Sequence, residues 1–201
     1  MESAIKLAES RFSTITNADG EMFALRKSLY EPIPPAVIND DAELTFSIIK
    51  KGFRILYEPA AQSHELASID IVDDFFVKVR MVAGGFQTMS RHTGFLLPPR
   101  NWFTFSFFAH KILRWLSPLL LIGVLAATIA TLPHPLALAF LALQAICYGL
   151  AGLGWLLRGK RELPTVLYVP FYFCAMNLAA LMGLIRFMRG QQQVQWRKAK
   201  R

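Results

Sequence analysis

The stretch NADGEMFALRKSLYEPIPPAVINDDAELTFSIIKKGFRILYEPAAQSHE, residues 17–65, decides how the first half of this chain is read. Asn17-Ala18-Asp19-Gly20 is turn chemistry, and the short apolar run at residues 22–25 predicts a strand after it. Residues 30–36, YEPIPPA, form a proline-rich connection. Asn39-Asp40-Asp41 then precedes Leu44, Ile48 and Ile49 at helical spacing, and acidic residues at a helix start are favoured by capping and by the helix dipole. That helix is expected to end at Gly52. Residues 53–59, FRILYEP, alternate like a second strand.

On either side of this stretch the pattern is helical. Residues 2–10 predict a short amphipathic helix, and residues 71–84 a longer one with Val72, Phe75, Phe76, Val79 and Val82 on its apolar face. Strand, acidic turn, helix, strand and helix point to an α/β unit. Some ninety residues are too few to close a doubly covered sheet, so the domain is expected to be partial.

After Pro98-Pro99 the composition changes. Residues 102–109, WFTFSFFA, lie between Arg100 and Lys111, as expected of an aromatic segment in the lipid headgroup region. Three apolar runs follow at residues 112–132, 136–157 and 163–187, each near the ~20 residues that cross ~30 Å of hydrocarbon. The organisation read from the sequence is therefore a globular part at 1–97, an interfacial segment at 98–111, a membrane region at 112–187 and a basic tail at 188–201. Basic residues stand before the first run, after the second (Arg158, Lys160, Arg161) and after the third, and none in the turn at residues 131–135. The preference for basic flanks in the cytoplasm would place all three on one side, which three full crossings cannot do. Pro164 and Pro170 make the third run the candidate for a re-entrant or interfacial piece.

Charge is divided as sharply as hydrophobicity. Residues 1–111 hold twelve Lys and Arg against thirteen Asp and Glu, whereas residues 112–201 hold ten against Glu162 alone. The basic character thus belongs to the flanks of apolar runs and not to a groove for nucleic acid, and the aromatics are not interleaved with Lys and Arg as base stacking would require. Cys147 and Cys174 lie within apolar runs, where a thiol behaves as a small hydrophobe, so neither a disulfide nor a zinc site is expected. No ionisable residue sits at the centre of an apolar run to mark a transport pathway. Asn177 and Gln144 there are explained by helix–helix hydrogen bonds.

Residues 17–65 resemble the second half of the catalytic domain of family-2 glycosyltransferases, of the type called GT-A and found in membrane-bound polysaccharide synthases. The residues that carry the likeness are Gly20, Ala24-Leu25-Arg26-Lys27, the acidic Asn39-Asp40-Asp41, and Gly52-Phe53-Arg54-Ile55-Leu56-Tyr57-Glu58-Pro59. The resemblance implies a partial α/β GT-A domain followed by an α-helical membrane domain. It implies transfer of a sugar with inversion, from a nucleotide-sugar donor to a glycan or lipid-linked acceptor, at the cytoplasmic face of the plasma membrane. Asp41 would be the general base, with Asp40 beside it. The family's Gln-x-x-Arg-Trp motif falls on Val77-Lys78-Val79-Arg80-Met81, which keeps the Arg and replaces the Gln and the Trp. Arg80, helped by Lys78, would pair with the donor diphosphate, and Gly20 and Glu65 would contact substrate.

His64 is considered as a metal ligand and is weak as a lone histidine. The whole enzyme would use Mg²⁺ or Mn²⁺, held by an Asp-x-Asp element that these residues do not contain. The chain is therefore expected to lack its donor site, to be inactive alone, and to need a donor-half polypeptide. The alternative is a non-catalytic membrane module that keeps the acceptor half for interaction.

Overall fold

The computed structural model describes residues 2–16, 18, 20–64, 71–97, 101–159 and 163–191. Helix α1 spans Glu2–Phe12, α2 Asp40–Lys50, α3 Ile71–Arg91 and the single turn α4 Thr93–Leu96. Helix α5, Trp102–Phe107, passes through a π-helical turn at Phe108–Ile112 into α6, Leu113–Ala130. Helices α7, Pro135–Leu157, and α8, Thr165–Met188, follow.

The expected α/β domain is not formed: among the described residues there is no strand. Residues 23–26 and 53–58 carry no regular secondary structure. A strand exists only when neighbours supply its hydrogen bonds. Here the segment around Ile55 finds side chains instead. Ile15 N–H donates to the Ile55 carbonyl at 3.0 Å, but Ile55 N–H turns to Thr14 Oγ1 at 2.9 Å and Tyr57 N–H to Ser10 Oγ at 2.6 Å. Arg54 adds guanidinium bonds to the carbonyls of Ser10 and Ser13.

The helices follow the sequence more closely. Helix α2 begins at Asp40 with three acids in its first turn and gives way after Lys51 to Gly52, whose φ of +84° lies in the left-handed region that glycine enters freely. Helix α3 runs seven residues past the expected Gly84. Of its predicted apolar face Val79 and Val82 are buried, but Val72 and Phe76 are exposed, and burial shifts to Ala83 and Phe86.

The core of the globular part is aromatic. Phe46 of α2, fully buried, packs edge-on against Phe103 and Phe107 of α5 at 5.3 and 5.1 Å and stacks flat on the ring of His92 at 4.9 Å. Buried Glu9 ties α1 to α5, accepting from Ser106 Oγ at 2.6 Å and from Thr16 N–H at 3.1 Å.

Three helical stretches, Trp102–Ala130, Pro135–Leu157 and Thr165–Met188, are long and apolar enough to cross a membrane. The first of these stretches takes in α5, part of the segment read as interfacial, whose Phe103 and Phe107 pack on Phe46 in the globular core. Large side chains such as Ile122, Phe140, Leu143 and Leu178 are exposed along these helices, as lipid-facing residues are. Polar side chains are paired inside: Ser117 Oγ donates to Asn177 Oδ1 at 2.6 Å, and Gln144 Nε2 to Thr128 Oγ1 at 3.3 Å.

Helix α3 joins the two parts. A Cβ on Gly183 of α8 would lie 2.7 Å from the Val79 carbonyl and 2.8 Å from Val82 Cβ, so only glycine lets the two backbones approach this closely. Val82 and Phe86 then bury against Ala180, with Leu184, Phe187 and Trp115 around them.

Candidate functional site

The N-terminal end of α2 is a meeting point. Asp41 lies in the first turn, and its Oδ1 accepts from Ala42 N–H at 2.7 Å, while Asp40 Oδ1 accepts from Asp41 N–H at 3.0 Å. Asp40 is exposed and Asp41 half-buried. Both carboxylates therefore sit at the positive end of the helix dipole.

Gly20 is brought against Asp41: a Cβ there would stand 3.5 Å from Asp41 Cβ and 3.7 Å from Asp41 Oδ2. A larger side chain would begin to cover the carboxylate. The approach is fixed by Thr45, whose hydroxyl accepts from Ala18 N–H at 3.1 Å and donates to the Asp41 carbonyl at 2.8 Å.

From the other side comes α3. Arg80 donates to the Ile38 carbonyl at 3.3 Å, three residues before Asp41, and Asn39 Nδ2 donates to the Met81 carbonyl at 2.9 Å. Gln87 clasps the same loop twice, accepting from Ile38 N–H and donating to the Ala36 carbonyl, each at 2.9 Å. A Cβ at Gly84 would overlap the Asn39 amide, so this glycine is what lets α3 close on the loop. Sequence reading did not single out Gln87, Gly84 or the Asn39 contact. The signal was present, since Arg80, Gly84 and Gln87 fall at i, i+4 and i+7 on one helical face.

The structure thus gathers Gly20, Asp40, Asp41 and Arg80 at one end of α2. Lys78 is half-buried on α3, two residues from Arg80 and so about 200° away around the helix. It does not share Arg80's face. His64 is exposed at the end of the segment that follows residue 58. Glu65 lies outside the described residues.

Among the described residues no three His, Cys, Asp or Glu side chains converge. Cys147 and Cys174 are free thiols.

Two further features flank the site. Residues 21–29 and 53–63, with Thr45 and Ile48 of α2, border a groove of about 670 Å³. Behind α2, buried Glu43 receives Arg91 at 3.1 Å and faces His92 Nε2 at 3.2 Å, while Lys50 Nζ lies 3.5 Å from the other ring nitrogen. Burial pushes the His92 pKa below its usual value, and outweighs the opposing attraction of Glu43.

Comparison with protein-family models, with curated proteins and with solved structures found no match to this chain.

Proposed function

We propose that this chain is the acceptor-side part of a membrane glycosyltransferase. Asp41 takes the proton from an acceptor hydroxyl as the oxygen attacks the anomeric carbon of a nucleotide sugar, and the nucleoside diphosphate leaves with inversion. Arg80 stands for the cation that receives the diphosphate. The observation that carries this reading is the meeting of Gly20, Asp41 and Arg80, distant in sequence, at one helix N-terminus. Those are also the positions through which the sequence resembles family-2 enzymes.

The reading is tested in membranes that contain the chain together with a donor-binding polypeptide bearing an Asp-x-Asp element. Labelled sugar should pass from nucleotide sugar to lipid or glycan, and Asp41→Asn should lower the rate by roughly 10²–10⁴-fold, the usual weight of a general base. Undiminished transfer by the variant would remove Asp41 from the chemistry.

A second reading, a non-catalytic interaction module, is favoured by the groove between residues 21–29 and 53–63, where apolar side chains such as Met22, Phe23 and Leu56 are exposed. Co-purification with the donor-binding polypeptide and no sugar transfer would decide for it.

A further inference from the structure

We infer that the chain crosses the membrane twice, through α6 and α7, and that α8 lies at the membrane surface on the side of α1–α4, with its exposed apolar face against the lipid headgroup and upper acyl layer.

The geometry points there through the partners of α8. Two antiparallel crossings place the beginning of α6 and the end of α7 at the same surface. Ser117, near the start of α6, bonds Asn177, which is at the midpoint of α8. Gly154 and Trp155, near the end of α7, pack on Phe171. The middle of α8 is therefore level with the membrane boundary, where a crossing helix would have an end.

The last turns of α8 continue in the same plane. Ala180, Gly183 and Phe187 lie along Val79, Val82 and Phe86 of α3, and Phe86 also meets Trp115 at the start of α6, at 5.4 Å. Helix α3 carries Asp73, Asp74, Lys78, Arg80 and Arg91, a load of charge that hydrocarbon does not admit. What packs along it is held out of the bilayer core. Val166, Val169, Phe173, Leu178 and Met188 remain exposed on α8, apolar surface for lipid to cover, and it is the charge on α3 that fixes the depth at which lipid covers it. Two crossings also place every basic flank on one side and leave the uncharged turn at residues 131–134 alone on the other, as the charge rule requires.

Single cysteines in a background with Cys147 and Cys174 replaced by Ala test this with a membrane-impermeant thiol reagent on sealed, oriented vesicles. Ser28→Cys marks the side of the globular part, Thr131→Cys the α6–α7 turn, and Arg189→Cys, with Gln191→Cys as a second position, the end of α8. The expected result is that positions 189 and 191 react from the side of position 28, and position 131 from the other. Reaction of 189 and 191 from the side of 131 establishes three crossings and overturns the inference, as does reaction of all four from one side. A fluorophore at Leu178→Cys supplies an independent depth: quenching by a nitroxide near the headgroup and not by one deep in the acyl chain, with Ile122→Cys showing the reverse, is expected. Deep quenching at 178 refutes the surface placement.

Discussion

The globular and membrane parts of this chain meet the same requirement, that backbone N–H and C=O groups be satisfied, in opposite ways. Helices α6, α7 and α8 satisfy them within each helix, so their formation depends on nothing outside. The segments at 23–26 and 53–58 have no ladder, and the second is held by the side chains of Ser10 and Thr14 and one bond to Ile15. Self-sufficient elements can be read from their own residues; elements completed by neighbours cannot.

The comparison can be broken by variants that should affect one part and spare the other. The largest structural effect is expected at Phe46, fully buried among three helices' worth of aromatic rings. Phe46→Ala should cost about 3–5 kcal/mol. In detergent it should expose residues 1–97 to protease while α6–α8 keep their helical circular dichroism. Joint collapse of both would show that the parts are one cooperative unit.

Gly183→Val attacks the joint itself. The added carbons meet the Val79 backbone, which cannot swing aside as a side chain would, and a loss of about 1–3 kcal/mol is expected. Protease should then cut α3 sooner, without change in the α6–α7 pair.

His92 gives the globular part a pH dependence that the membrane part should lack. Its pKa is lowered by burial, against Glu43 and with Lys50 and Arg91 adding to the effect. The folded state thus holds the ring neutral while the unfolded chain protonates near the ordinary 6.5. Below that pH the unfolded state binds more protons, so stability should fall as pH drops through 6.5 and be retained above it. Denaturation at pH 7.5 and 5.5 should show this decline for the parent, and a smaller one for His92→Gln.

The smallest effect belongs to the membrane part. Ser117→Ala removes the bond to Asn177, and such interhelical bonds average about 0.6 kcal/mol. A loss of several kcal/mol would mean that Asn177 has no other way to be satisfied.

How far the sequence could be read follows the same division. The long apolar helices were legible because twenty apolar residues have few other fates, and the start of α2 because Asn39-Asp40-Asp41 states it locally. The strands were not, since FRILYEP alternates correctly but cannot name a neighbour. At the site, the contact between Gly20 and Asp41 is made by Thr45 reaching Ala18, a bond that no spacing announces. The clasp by Gln87 was written in the helical spacing of Arg80, Gly84 and Gln87, and was hidden because attention to Arg80 came from a motif and not from the face it shares. Lys78 shows the converse: two residues from Arg80 in a motif, it stands on another side of the helix.

The π-helical turn at Phe108–Ile112 carries a consequence of its own. A π turn takes up one surplus residue in a wider turn, so the helix beyond it keeps the phase of the helix before it. Phe107 before the turn and Trp115 after it therefore stay on one side, edge-on at 5.9 Å, where Phe107 addresses Phe46 and Trp115 addresses Phe86. The turn works as an expansion joint, taking up added length without rotating what lies beyond it. Excising one residue there would leave an unbroken, regular helix with Trp115 still between Phe107 and Phe86.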